Sequence, residues 1–160
     1  MNVLMNNPDY ETVLLALAGD KLIVRARRTR GTERFELWGV DTASGTPAWQ
    51  MAMQGSSPID PPDEMAGLID DTGSAWTWKL TATGLVVMKF QAKPNQLILQ
   101  TFNPVDGISL GSQTIALGRI SGDFYESPTF IGWQGDVAYF SLESNIYSLD
   151  VTTGKLKAVY

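Results

Sequence analysis

The feature that most constrains how this chain can fold is a strand–turn–strand pattern that occurs three times. The fullest copy, LWGVDTASGTPAW, spans Leu37–Trp49, and weaker copies span Asn103–Gly111 and Asp150–Ala158. Each turn opens with Asp or Asn, whose side-chain oxygen accepts hydrogen bonds from the backbone just ahead. A glycine, which tolerates positive φ, follows four residues later. The pattern predicts three hairpins of one design.

The residues before each turn recur as well. Ahead of each Asx–Gly turn, the sequence has an earlier turn that contains glycine, then an apolar run rich in β-forming residues, and then a second apolar run of the same kind. These stretches are 19–24 and 35–40, 84–88 and 97–102, and 135–140 and 145–149. Order and spacing that recur together indicate an internal repeat. Three independent Asx turns, which are common in all-β proteins, are the alternative.

The repeat predicts three groups of four strands. The predicted strands are 12–18, 21–27, 33–40 and 47–53 in the first group, 75–80, 84–91, 97–102 and 109–117 in the second, and 128–133, 136–142, 145–149 and 155–160 in the third. The groups span about 11–53, 75–117 and 128–160, with linkers at 54–74 and 118–127. The apolar run Val13–Leu17 is typical of a strand that is covered on both faces.

The repeat resembles that of the quinoprotein-type (PQQ-like) β-propellers, whose blades carry a tryptophan docking motif. The matching residues are Gly39, Asp41, Gly45 and Trp49 in the first unit, Asn103 and Gly107 in the second, and Asp150 and Gly154 in the third. Gly39 stands where the family usually has Ala, and Gly111 and Ala158 stand in the place of the tryptophan.

The resemblance implies an all-β fold of three four-stranded antiparallel blades, a partial β-propeller that occupies residues 1–160 as one domain. Three blades cannot close a ring, because propellers have about 4–8 of them. Self-association, another subunit or further blades of a longer chain would complete it. A closed β-sandwich or barrel is the alternative fold.

Composition excludes several kinds of chemistry. The 160 residues include no Cys and no His, so disulfides, thiolate nucleophiles, imidazole bases and the common zinc sites are ruled out for this sequence. A net charge of −5 disfavours nonspecific binding to nucleic acid. The sequence has no apolar run long enough to predict a membrane span, and MNVLMNNPDY lacks the features of a signal peptide. The compartment stays open between the cytoplasm and a larger exported protein.

Five of the six arginines lie in one predicted hairpin between the second and third strands. They are Arg25, Arg27, Arg28, Arg30 and Arg34. The hairpin is interpreted in three ways: as a solvated hairpin whose charges discourage edge pairing, as a basic tip that binds an acidic partner or a phosphate-bearing ligand, or as a partner of the acidic 54–74 loop. That loop lacks the alternating acids and central glycine of a calcium loop, so no metal site is assigned.

The function predicted from these observations is a noncatalytic protein-binding or assembly module without a cofactor. The alternatives are a fragment of a quinoprotein-like dehydrogenase and a carbohydrate-binding propeller. Enzymes of the family, as the resemblance implies, use a pair of adjacent cysteines and an acidic calcium site, and this sequence has no cysteine. Carbohydrate binding would use exposed aromatic side chains such as Trp76, Trp78 or Trp133, although a pair spaced like Trp76 and Trp78 more often packs between sheets. No catalytic residue is assigned.

Overall fold

The computed structural model describes residues 8–30, 35–53, 57–58, 74–91, 95–117 and 129–160. These residues form an all-β structure of thirteen strands. The strands are β1 (Tyr10–Ala18), β2 (Lys21–Arg28), β3 (Phe35–Asp41), β4 (Pro47–Met53), β5 (Ser57–Pro58), β6 (Ser74–Thr81), β7 (Gly84–Gln91), β8 (Gln96–Phe102), β9 (Ser109–Ala116), β10 (Thr129–Gln134), β11 (Val137–Leu142), β12 (Asn145–Asp150) and β13 (Lys155–Ala158).

The predicted three groups of four antiparallel strands are present. Each group is an open sheet in which strands that follow one another in sequence are neighbours, with the orders β1-β2-β3-β4, β6-β7-β8-β9 and β10-β11-β12-β13. Most of the predicted linkers, together with residues 33–34 and 128, lie outside the described residues. The all-β class and the order of the strands within three antiparallel four-stranded groups are therefore confirmed, and the arrangement of the groups as propeller blades stays a prediction.

One strand of the second sheet was not predicted. Ser57–Pro58, within the predicted 54–74 linker, pairs in parallel with Ala75 and Trp76 at the edge of this sheet. A two-residue strand leaves no alternation of side chains to recognise in a sequence. Its proline, which cannot donate a ladder hydrogen bond, is tolerated at a sheet edge.

The chain divides into two compact units, the first comprising residues 1–55 and 102–110 and the second residues 56–101 and 111–160. In the first unit, one face of the sheet is centred on Trp38, which packs with Val24, Ala26 and Val40. Tyr10 meets the Trp38 ring edge-on at 4.9 Å between ring centroids. The buried Glu36 accepts a hydrogen bond of 2.7 Å from Trp38 Nε1, so a carboxylate lies within this face.

In the second unit, the second and third sheets pack together through one apolar cluster. Its buried members are Val86, Met88, Phe90, Leu97, Leu99, Ala138, Phe140, Leu149 and Val151. The strands of the third sheet alternate as expected: Phe140 is buried and stacks on Tyr147, whereas Tyr139, on the opposite face, is half-buried. Burying each large side chain of this kind contributes about 1.5–3 kcal/mol.

The prediction that the apolar run 13–17 is covered on both faces is wrong. Val13, Leu14 and Leu17 are 43%, 60% and 62% exposed. The reason is that β1 is the edge strand of its sheet and pairs only with β2. A register shift between Leu14 and Ala16 leaves Leu14 and Leu17 opposite Val24 and Leu22. The sheet therefore presents an apolar edge to its surroundings.

Candidate functional site

The three turns of the repeat have the same geometry. In Asp41–Gly45, Asn103–Gly107 and Asp150–Gly154, the first side chain accepts a hydrogen bond of 3.0 Å from the backbone N–H two residues ahead. The glycine N–H then donates to the carbonyl of the first residue at 2.8 Å in every turn. The three glycines have φ of 70°, 73° and 69°. The predicted chemistry, an Asx acceptor and then a glycine with positive φ, is therefore what closes each turn.

Trp49 covers one of these turns. Its Nε1 donates a hydrogen bond of 3.0 Å to the Pro104 carbonyl, and a Cβ on Gly107 would lie 2.8 Å from the indole Cγ. On the other side, a Cβ on Gly39 would overlap the indole. Trp49 is only 9% exposed, and within the first unit it lies between two glycines that leave room for its ring. The contact joins β4 to the turn that follows β8.

A second turn is covered by a residue that the sequence did not single out. A Cβ on Gly154 would overlap the side-chain amide of Gln113, both within the second unit. Gln113 lies two residues beyond Gly111 on β9, so the two residues share a face of that strand. Gly111, which stands in the tryptophan position, has no side chain that could cover a turn. Gln113, the next residue on the same face of β9, covers the Gly154 turn.

The motif spacing puts Ala158 in the tryptophan position of the third unit, but the strand register differs there from that of the first sheet. In the first sheet a register shift between Gly39 and Val40 places Trp49 opposite Gly39. The β12–β13 ladder has no such shift. Ser148 is the residue that corresponds to Gly39, because each lies two positions before the Asp of its turn. Lys157 lies opposite Ser148, and Ala158 lies opposite Tyr147. A difference of one residue in register moves a side chain to the other face of a strand. Lys157 therefore corresponds to Trp49.

The first turn also carries an ion pair. Lys21 Nζ donates to Asp41 Oδ2 at 3.0 Å and lies 2.8 Å from Asp20 Oδ2. Hydrogen bonds to the Asp41 carboxylate, first from the Ser44 N–H and then from Lys21, lower its pKa from 3.8 to about 2. The Lys21 side chain is 10% exposed, and its hydrogen bonds to Asp20 and then to Asp41 raise its pKa.

Replacing Asp41 by Asn is expected to weaken the dependence of stability on pH in acid. A carboxyl whose pKa is lower in the folded state stabilises the protein above 3.8 and loses that effect as pH falls from 3.8 to about 2. Asn should preserve the turn, as Asn103 does. Urea unfolding measured between pH 2 and pH 6 gives the comparison. Some dependence should remain, because a hydrogen bond from the Thr152 hydroxyl also lowers the pKa of Asp150. Identical pH profiles for both proteins would contradict the assignment.

The arginine-rich hairpin lies at the opposite end of the β2–β3 pair from this turn. Arg27 Nη1 is 3.4 Å from Glu11 Oε2, and Arg30 Nη1 is 3.4 Å from Asp9 Oδ1. The Arg25 guanidinium lies 5.9 Å from the centroid of the Phe35 ring. Exposed ion pairs of this length stabilise a fold by less than about 1 kcal/mol. The acidic residues that pair with Arg27 and Arg30 are thus Glu11 in β1 and Asp9 just before it.

The other predicted features of the hairpin are only partly described. Arg28 is half-buried at the end of β2, and Arg34 lies outside the described residues. The acids of the 54–74 loop also lie outside the described residues, so the pairing of this loop with the arginines stays a prediction. In the part of the chain that the structure describes, no group of three or more acidic side chains is arranged to hold a metal ion.

The aromatic side chains considered for carbohydrate binding are mostly covered. The β6–β7 register places Trp76 and Trp78 on one face, as predicted, and Trp76 is 1% exposed. Trp133 packs against Phe130 at 5.5 Å, and Lys79 Nζ lies 5.7 Å from its ring centroid. Trp78 and Trp133 are half-buried, so carbohydrate binding by these rings stays a prediction.

Comparisons with known proteins do not assign the chain to a family. No protein-family model matches the sequence, and no curated protein is significantly similar to it. The described residues contain no helix that is long and apolar enough to cross a membrane. The resemblance to PQQ-like repeats therefore stays a prediction.

Proposed function

We propose that this chain is a noncatalytic assembly module, built from three blades of the PQQ-like propeller type and completed by blades from another chain. The observation that carries the proposal is the Trp49 contact. An indole at the end of one four-stranded meander lies on a glycine turn that follows β8, and its Nε1 is hydrogen-bonded to the Pro104 carbonyl. This contact, within the first unit, is a packing contact with one hydrogen bond between β4 and the turn after β8, which is the kind of interaction that an assembly module uses.

The exposed edge of the first sheet supports the same proposal. Leu14 and Leu17 are more than half exposed and lie on the same face of the sheet. An unpaired strand with apolar side chains favours association with another protein surface. The arginines at the end of β2 lie next to this edge and add positive charge that would orient an acidic partner.

Light scattering of the purified chain over a range of concentrations tests the proposal. We expect a discrete species heavier than the 17.5 kDa chain. The double variant Leu14→Lys/Leu17→Lys should shift it to the monomer without loss of the β-sheet circular dichroism signal, because two charges then occupy the apolar edge.

Ile131→Lys is the matched control. Ile131 is 56% exposed on the edge strand β10, so its replacement adds one lysine, half the charge of the double variant, to the edge of a different sheet. The mass of this variant should equal that of the wild type. A wild-type chain that stays monomeric at every concentration would contradict the proposal and favour a closed all-β fold.

A further inference from the structure

Two polar side-chain atoms of the second unit are buried without a hydrogen-bond partner. They are Thr77 Oγ1 on β6 and Trp133 Nε1 on β10, and neither is paired with any residue that the structure describes. Thr77 is 0% exposed. An unpaired buried polar group destabilises a folded protein, so groups of this kind are rare, and an ion or a ligand that binds them is one explanation.

Both atoms belong to the interface between the second and third sheets. Thr77 lies opposite Met88 in the β6–β7 ladder, and Trp133 lies opposite Ala138 in the β10–β11 ladder. Met88 and Ala138 are buried members of the apolar cluster through which these two sheets pack. Residues that lie opposite each other in a ladder share a face of the sheet. Thr77 and Trp133 therefore lie on the two faces that meet.

A lysine lies at the same interface without an acidic partner. Lys79 is two residues from Thr77 and so shares its face of β6, and its Nζ lies 5.7 Å from the centroid of the Trp133 ring. No carboxylate in the described part of the chain lies within 4 Å of this ammonium group. Asp136, the acid nearest to Trp133 in the sequence, forms no ion pair with it. Lys79 and Trp133 are each half-buried, so solvent reaches this end of the interface.

The chemistry of the three groups fits a carboxylate. An indole N–H and an ammonium group only donate hydrogen bonds, and a threonine hydroxyl donates or accepts. Donors that lack an acceptor favour an oxyanion, and hydrogen bonds with a charged partner are the strong ones. A single lysine balances the one charge of a carboxylate, whereas a phosphate group carries about 1.5–2 negative charges at pH 7.

We propose that Thr77, Lys79 and Trp133 form a binding site for a small carboxylate that has an apolar body. The Lys79 ammonium pairs with the carboxylate, and Trp133 Nε1 and Thr77 Oγ1 donate to its oxygens. The apolar body packs against Val86 and Met88, the cluster residues opposite Lys79 and Thr77. The inference does not depend on the assembly function, because the site lies in the second unit and the apolar edge of β1 lies in the first.

Calorimetric titration and NMR spectroscopy with isobutyrate test the site. We expect saturable binding of isobutyrate at constant ionic strength and no binding of isobutyramide, which has the same shape without the charge. The indole N–H signal of Trp133, identified by its loss in Trp133→Phe, should move downfield as it donates a hydrogen bond. The Trp78 signal is the internal control, since Trp78 is next to Thr77 in β6 and lies on the other face. Equal movement of both signals, or equal binding of isobutyramide, would overturn the proposal.

Lys79→Gln should weaken isobutyrate binding about 10- to 100-fold, the usual effect of losing a hydrogen bond to a charged group. Lys155→Gln is the matched control, because it removes the same charge from an exposed residue of β13 on the face of the third sheet away from Trp133. Binding by this control should equal that of the wild type. Unchanged binding by Lys79→Gln, or tighter binding of phosphate than of isobutyrate, would contradict the assignment of a carboxylate site.

Thr77→Val separates the ligand from simple packing. Valine has nearly the shape of threonine without the hydroxyl, so this variant should raise the urea midpoint of the ligand-free protein, because an unpaired buried group is removed. The same variant should bind isobutyrate more weakly. A lower midpoint would show that the hydroxyl is already paired in the free protein, for example with a buried water, and would overturn the proposal.

Discussion

Replacing Trp49 by Ala should lower the free energy of unfolding by about 3–5 kcal/mol. The indole is 9% exposed and lies between Gly39 and Gly107, two positions where no side chain is available to fill the cavity left by its removal. The variant also loses the 3.0 Å hydrogen bond from Nε1 to the Pro104 carbonyl. Urea unfolding followed by far-UV circular dichroism measures the change.

Trp49→Phe is the control that separates packing from hydrogen bonding. Phe keeps an aromatic ring near Gly107 but has no N–H to donate to Pro104, so its cost should be about 1–2 kcal/mol, which reflects the lost hydrogen bond and a small cavity. A loss below about 1 kcal/mol for the Ala variant would show that the ring is not docked on the turn, because truncation of a buried tryptophan costs several times more.

Gly107→Ala should destabilise the chain by about 3 kcal/mol, of which about 1–2 kcal/mol comes from placing Ala at positive φ. The remainder arises because its Cβ would lie 2.8 Å from the Trp49 Cγ and 2.9 Å from Cδ2, so the indole must move. Gly19→Ala is the matched control, since Gly19 has φ of 61° and nothing within 4 Å of a Cβ. Gly19→Ala should lower the free energy of unfolding only by the cost of placing Ala at positive φ, about 1–2 kcal/mol.

A double-mutant cycle gives a sharper form of the same test. In a Trp49→Ala background the indole is absent, so Gly107→Ala should cost no more than Gly19→Ala. If Gly107→Ala and Gly19→Ala lowered the free energy of unfolding equally in the wild-type background, the indole would not be packed against Gly107. The same unfolding assay measures all four variants.

The sequence predicts the turns well because their chemistry is local. Asp41, Asn103 and Asp150 each accept from an N–H two residues away, so a short window contains both the cause and the result. The four-stranded meanders follow from these turns and from the apolar runs between them. The turns and the four-stranded meanders can therefore be predicted without knowing which surfaces the sheets contact.

The docking contacts are harder to predict because they depend on register. One register shift next to Gly39 aligns Trp49 with that glycine, and the absence of a shift in β12–β13 moves the corresponding position from Ala158 to Lys157. Gln113 reaches Gly154 because Gly111 has no side chain, and no local pattern shows which residue replaces a missing one. The exposure of Leu14 depends on what lies beside β1, which an apolar run does not reveal.

The meander connection of the three sheets has a consequence for how the chain acquires its structure. Because β1 to β4 pair only with their sequence neighbours, as do β6 to β9 and β10 to β13, most contacts within a sheet close short loops. Short loops cost little chain entropy, and a low contact order favours fast folding for a β protein. During synthesis, β1 to β4 can pair before β10 has left the ribosome, so the first sheet should emerge as an early folding intermediate.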